Sequence, residues 1–257
     1  MKKPTPIQLT VVDSQQVTPN MQRLVLQSDE LANFPDNCEG SYIKFLFNKA
    51  GATDLSTINI GERPVMRTYT IRRYSAANRT IQVDFVRHLS EDIQSGFATR
   101  WAMSTTVGDI VNVAGPGSIK EINMNADWFF MVADMTALPA LSAKIRQLPS
   151  DAKGYAVIKV TEKEDIQAIN TPVNVQINWL TKENSLAEQV KSLPWLTGAA
   201  SVWTACEFDA MRELRHYFQN DKQVPRELIY ISSYWKSGVS EDGHKAFKQQ
   251  DAQQSSN

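Results

Sequence analysis

Arg67-Thr68-Tyr69-Thr70-Ile71-Arg72 decides how the first half of this chain is read. Thr, Tyr and Ile favour a pleated backbone, so the hexamer is predicted to be a strand. Alternation along a strand puts Arg67, Tyr69 and Ile71 on one face and Thr68, Thr70 and Arg72 on the other. A guanidinium can clamp a phosphate with two parallel N–H donors. An aromatic two residues on can lie flat against a planar ring. A neighbouring threonine offers a hydroxyl and a backbone N–H to a ring nitrogen. Phosphate clamp, ring platform and donor lie within one short strand, which is what a flavin nucleotide needs. Taken alone, the hexamer also describes an ordinary amphipathic strand with solvated arginines.

Segments of the same kind surround it. Strands are predicted over 7–12, 21–26, 42–47, 65–72, 80–85 and 110–114, separated by polar turns such as Phe34-Pro35-Asp36-Asn37 and Asn48-Lys49-Ala50-Gly51. Many short strands with turn signals indicate a small barrel. One helix is predicted among them, at about 93–103. The second half alternates: strands at 128–133, 155–160, 173–180, 201–205 and 228–232, helices at 138–148, 185–193 and 208–218. Such alternation predicts a parallel sheet with helices on its faces. Phe208, Met211, Leu214, Arg215 and Phe218 recur at helical spacing and read as core. The expected division is a barrel domain over 1–125, an α/β domain over 126–243 and a polar tail over 244–257. That tail reads as a helix end followed by disorder.

Composition narrows the functional classes. The chain has 257 residues, enough for one large or two small domains, and 42% are hydrophobic. Lys+Arg 27 nearly balances Asp+Glu 28, so no basic field supports nucleic-acid binding. The first residues, Met1-Lys2-Lys3-Pro4-Thr5-Pro6, lack the apolar run of a signal peptide. The apolar run Trp128-Phe129-Phe130-Met131-Val132-Ala133 is too short to span a bilayer. A cytoplasmic protein without a membrane partner is expected. Cys38 and Cys206 give neither a disulfide framework nor a metal-ligand spacing.

Preceded by Arg63-Pro64, the hexamer has the form RxYTxR. It resembles the flavin-binding signature of the ferredoxin-reductase superfamily. More narrowly, it resembles the siderophore-interacting protein family, the FAD-dependent ferric-siderophore reductases. Other segments follow in that family's order. Val83-Asp84-Phe85-Val86-Arg87-His88 is similar to its VDFVxH strand, and Gly96-Phe97-Ala98-Thr99-Arg100-Trp101-Ala102 to its G-P-A-S-x-W-A segment. Ala133-Asp134-Met135-Thr136-Ala137-Leu138-Pro139-Ala140, downstream of Gly115-Pro116-Gly117, is similar to its G-D-E-T-A-L-P-A turn. Trp203-Thr204-Ala205-Cys206-Glu207 resembles W-x-A-G-E, and Tyr234-Trp235-Lys236-Ser237-Gly238 resembles Y-W-[RK]-x-G. The resemblance covers roughly residues 5–243.

The resemblance implies an N-terminal antiparallel FAD-binding barrel followed by a parallel-sheet, nucleotide-binding-like domain. It implies that Arg67 contacts the FAD pyrophosphate, Tyr69 packs on the isoalloxazine and Thr70 bonds near its N5, with Thr68 beside them. Asp84 and Val86 would face the flavin, with His88 bordering it. Ala98 and Thr99 would offer backbone N–H groups and a hydroxyl to the diphosphate, and Trp101 is either core or a cofactor wall. Thr136 and Ala137 would neighbour an adenine, and Trp235 would lie against the flavin. Cys206 and Glu207 would sit near a nicotinamide, and Cys206, where the family has glycine, is expected to crowd it. Thr161-Glu162-Lys163-Glu164 does not separate NADH from NADPH.

The expected activity is an oxidoreductase that uses FAD to reduce an Fe(III)–siderophore and release Fe(II) in the cytoplasm. The flavin carries the chemistry, so no catalytic side chain and no protein-bound metal are expected. Donors compatible with the resemblance are NADH, NADPH or a ferredoxin-type protein. Lys49, Lys236, Lys245 and Lys248 are candidates to meet an anionic ferric chelate, or are plain solvated cations. Two alternatives remain open: a flavoprotein reductase of a protein electron carrier, and a non-catalytic siderophore-binding module.

Overall fold

The computed structural model describes residues 6–59, 61–87, 96–117 and 120–254. The chain divides into two compact units, Met1–Ile119 and Lys120–Asn257.

In the first unit the strands are β1 (Ile7–Thr18), β2 (Met21–Gln27), β3 (Tyr42–Phe47), β4 (Val65–Ser75), β5 (Thr80–Val86) and β6 (Ile110–Gly117). They close into an antiparallel barrel in the order β1-β2-β5-β4-β3-β6. Period-two patterning fills it: Phe45, Ile71, Ile81, Val83, Phe85 and Val113 are fully buried. β1 runs to Thr18, well past the predicted 12, because the polar stretch Asp13–Gln16 stays paired to β2 between two register shifts. The helix α1 (Phe97–Ser104) turns Phe97, Ala98 and Ala102 into the barrel core. The part of the predicted helix before residue 96 lies outside the described residues. Cys38 is buried in the same core, and burial pushes its thiol up to about 11.

In the second unit the strands are β7 (Trp128–Asp134), β8 (Lys153–Lys159), β9 (Asn174–Leu180), β10 (Ala200–Glu207) and β11 (Ile229–Trp235). They form a parallel sheet in the order β11-β10-β7-β8-β9. Every residue of β7 is buried, which suits the central strand of a sheet covered on both faces. The helices are α2 (Leu138–Arg146), α3 (Leu186–Ser192), α4 (Phe208–His216) and α5 (Glu241–Gln254). Leu186 and Val190 of α3 and Met211 and Leu214 of α4 pack with Trp128, Phe130 and Val132. From β7 the chain builds outward to β8 and β9, then returns to β10 and β11 on the other side. The order therefore reverses between β7 and β10, and the crevice beyond their carboxyl ends is where such sheets bind ligands.

The segment entering this unit is tied to it by charge. Lys120 Nζ donates to the carbonyls of Arg226 (3.4 Å) and Ile229 (3.1 Å), and Glu121 pairs with the buried Lys144. The C-terminus departs from its sequence expectation. Residues through 254 continue the helix α5, which is docked by polar anchors that composition alone reads as solvated. Arg215 donates to both Asp251 oxygens at 2.7 Å, and Ser233 Oγ lies 2.8 Å from His244 Nε2. Among the described residues, no helix is long and apolar enough to cross a membrane.

Candidate functional site

β4 holds Arg67, Tyr69 and Ile71 on its inward face, as the alternation requires. Arg67 is only 7% exposed, with Nη1 donating to the Met66 carbonyl at 2.9 Å. Its guanidinium lies over the Phe97 ring, 5.7 Å from the centroid. Arg100, one turn along α1, lies over the same ring at 5.6 Å. Arg100 Nη2 is buried and has no hydrogen-bond partner among the described residues. A buried guanidinium donor without an acceptor is costly, and an anion at this ring would satisfy the Arg100 donor. α1 begins at Gly96, which offers its first amides no side-chain cap. Gly51 presses on the other part of Phe97. At φ +84°, a Cβ added there would stand 2.5 Å from the ring, so this close approach needs glycine. These features fit the diphosphate of FAD.

The remaining barrel candidates are spread around this point. Tyr69 is partly buried against Phe85 (ring centroids 4.2 Å) and Phe45 (5.6 Å). Thr68 is exposed and Thr70 is buried. Trp101 packs on Phe45 at 5.6 Å and on Phe47 and Phe85 at 6.1 Å, so it is a wall of the barrel core. Thr99 Oγ1 donates to the Val86 carbonyl at 3.2 Å, which fastens α1 to β5. That hydroxyl and the buried Ala98 side chain serve packing, and the backbone of the segment is what remains for a ligand. His88 lies outside the described residues.

Asp84 needs a correction. Its carboxylate does not reach toward a ligand, because Arg23 Nε and Nη2 donate to it at 2.7 and 2.9 Å and Arg72 Nε at 2.8 Å. Arg23 is its cross-strand partner in the β2–β5 register. The second arginine of RxYTxR and the aspartate of VDFV therefore hold each other.

In the second unit, the crevice edge gathers around Asp134, a residue that sequence reasoning had passed over within its own turn. Its carboxylate accepts from the Thr136 N–H (3.0 Å), the Thr136 hydroxyl (2.6 Å), Trp235 Nε1 (2.7 Å) and the Glu207 backbone. Burial pushes its pKa up, and these donors oppose the shift. Glu207 in turn caps α4, accepting from the Asp209 N–H (2.6 Å) and the Ala210 N–H (3.3 Å), and it accepts from the Ser237 N–H (3.1 Å). Two protein carboxylates thus already take donors that such a crevice would offer an anion. Ala137 is fully buried and caps α2. Trp235 is 40% exposed, so its ring is presented while its N–H is fixed. Cys206 also needs a correction. Its thiol points into the core with Val132, Phe208 and Leu214, where burial pushes its pKa up, so it does not crowd the crevice.

The four lysines are engaged. Lys49, in the first unit, pairs with Glu62 at 2.7 Å. Lys236 bonds Asp209 at 3.0 Å and lies over the rings of Phe208 (4.8 Å) and Phe247 (5.3 Å). Lys248 donates to Ser232 Oγ and the Ser233 carbonyl, both at 3.1 Å, and Lys245 lies 3.7 Å from Glu241.

Comparison with known proteins gives matches along nearly the whole chain. Residues 10–119 match the siderophore-interacting FAD-binding domain and residues 126–238 the siderophore-interacting protein family. The ferric vibriobactin reductase ViuB of Vibrio cholerae is 32% identical over 251 residues, spanning 92% of this chain and 91% of that one. The NADPH-dependent ferric-chelate reductase of Escherichia coli is 22% identical, spanning 89% and 92%. The crystal structure of the siderophore-interacting protein SipS from Aeromonas hydrophila superposes with a TM-score of 0.77 at 30% identity, covering 91% of this chain and 100% of SipS.

Proposed function

Because the chain belongs to the siderophore-interacting protein family and its first unit is an FAD-binding domain, we propose that it reduces an Fe(III)–siderophore complex in the cytoplasm and releases Fe(II). NADH or NADPH is the electron donor in this reading. FAD, when bound, supplies the conversion between a two-electron donor and a one-electron acceptor, so one hydride serves two ferric ions. Fe(III) is a hard, highly charged ion that oxygen chelators hold tightly, and Fe(II) is held less tightly. The protein's part is binding and orientation.

The observation that supports the reading is the pair of guanidiniums, Arg67 and Arg100, on the Phe97 ring at the start of α1. Arg67 neutralises phosphate. Tyr69, held by Phe45 and Phe85, sets a ring wall two residues away, and Thr70 follows it on β4. Lys236 and Lys248 fasten the C-terminal helix, and any of the four lysines that meets a ferric chelate would exchange a partner it already has.

The test is direct. The purified protein should be yellow and yield FAD on extraction. Under anaerobic conditions NADH or NADPH should bleach the flavin, and adding a ferric siderophore should restore the colour while a ferrous chelator traps Fe(II). A flavin that bleaches but ignores ferric siderophore, and reoxidises when an oxidised electron-carrier protein is added, would make that carrier the acceptor. A protein that binds ferric siderophore and takes up no FAD would be a binding module.

A further inference from the structure

We propose that the parallel sheet continues across a two-fold axis, with β9 pairing antiparallel to β9 of a second copy of this chain through the backbone groups of Ile177 and Trp179. The proposal stands apart from the flavin reading.

The two edges of the sheet differ. At β11 the outward carbonyls are taken, Ile229 by Lys120 and Ser233 by Lys248, each at 3.1 Å. β9 is the other edge. Proteins commonly place lysine, proline or a bulge on such an edge to prevent pairing. From Val173 to Thr181 the sequence Val-Asn-Val-Gln-Ile-Asn-Trp-Leu-Thr holds no charged residue and no proline. Its register on β8 runs continuously from Asn174 to Leu180. Val, Ile and Trp are strand formers, and Val173, 91% exposed, is an apolar residue that a second strand running past would cover.

The open stretch has defined ends. The Leu180 carbonyl accepts from the Val160 N–H at 2.8 Å, so even positions of β9 direct their backbone groups to β8 and odd positions direct theirs outward. Val175 and Thr181 are satisfied by their own turns. The Val175 N–H donates to the Pro172 carbonyl at 3.0 Å, and its carbonyl lies 3.5 Å from the Thr171 hydroxyl. The Thr181 N–H donates to Asn184 Oδ1 at 3.3 Å, and its carbonyl accepts from the Asn184 N–H at 3.1 Å. Between these ends, Ile177 and Trp179 face outward with no partner strand among the described residues.

That pattern is complementary to itself. Turned antiparallel about Asn178, Ile177 of each copy meets Trp179 of the other, and each such pair exchanges two N–H···O bonds. A β-branched and an aromatic side chain then lie opposite one another. Asn178 meets its own counterpart on the axis, and Lys182 falls opposite Asn174, so no like charges meet. Both copies use the same groups, so the contact closes at two chains. β8 and β7 separate this edge from the crevice at β10, which pairing leaves open.

The experiment uses the full chain. In sedimentation velocity over a concentration series, wild type should pass from one chain to two. Asn178→Lys sets like charges on the axis and should stay one chain at every concentration. Cross-linking reads the register. Asn178→Cys brings two thiols together on the axis, whereas Asn174→Cys leaves its two thiols about 26 Å apart along the strands. With a mild thiol oxidant the first should cross-link on the order of tenfold faster than the second, and Cys38 and Cys206, both buried, do not compete. Where Asn178→Lys folds poorly, the cysteine pair decides. Wild type that remains one chain throughout overturns the pairing and leaves the edge to a foreign strand or to none. A dimer that survives Asn178→Lys, or equal cross-linking at the two positions, places the contact elsewhere and overturns it. Assembly beyond two chains overturns the closure.

Discussion

Thr204 sits mid-strand in β10, fully buried, and its hydroxyl has no hydrogen-bond partner among the described residues. A buried hydroxyl without a partner costs about 1–3 kcal/mol against an apolar group of the same shape. Thr204→Val should therefore raise the urea midpoint of the second unit, and an unchanged or lower midpoint would show that the hydroxyl is satisfied in solution. Asp84 is the opposite case, one carboxylate between Arg23 and Arg72 with its side chain 2% exposed. Asp84→Ala removes the carboxylate shared by two largely buried guanidiniums and should cost about 3–5 kcal/mol in urea unfolding at pH 7. Sequence reasoning placed Arg67 and Tyr69 on the inward face of β4 because alternation on one strand is a local property. It did not reach the packing of Phe97 against Gly51 and the Arg67 guanidinium, because these come together only where α1, β4 and the turn at Gly51 converge. Nor did it reach Asp134, whose donors come from three separated segments.

Among the elements, α5 was the hardest to read, since a helix with few apolar residues resembles a solvated tail. Its partners are what make it an element. Asp251 accepts a two-pronged bond from Arg215, and Phe247 packs at a tilt on Phe208 with ring centroids 6.0 Å apart. Asp251→Ala removes the two-pronged bond and should cost about 1–3 kcal/mol, read as faster amide exchange along α5 and β11. His244 adds a dependence on acidity. Burial, helped by Lys248, Lys236 and Lys245 and opposed by Glu207, pushes its pKa from 6.5 down to about 4. Between those values the unfolded chain binds the proton and the folded chain does not. The stability that His244 contributes is complete above pH 6.5 and is lost as pH falls through that window. His244→Gln should lose less stability than wild type between pH 7 and pH 5, and an equal loss in both would place the titration elsewhere.

At the scale of the molecule, the barrel and the parallel sheet were legible because each has a period of its own, two in the first half and a strand–helix alternation in the second. The points where the chain leaves that pattern, the long polar β1 and the helix α5, are held by register and by side-chain pairs. Binding of FAD belongs to this scale as well. A hundredfold excess of FAD over its dissociation constant should stabilise the folded protein by about 2.7 kcal/mol, and riboflavin should not reproduce the rise in melting temperature. The two cysteines have a further use. Cys38 lies sealed in the barrel core and Cys206 in the core of the sheet, each protonated at neutral pH. A thiolate, not a thiol, is what peroxide and disulfide reagents attack. Both sulfurs should therefore stay silent to such reagents in the native protein. Each unit also carries its own built-in clock, because modification at Cys38 counts openings of the barrel and modification at Cys206 counts openings of the sheet, resolved by peptide mass in one experiment.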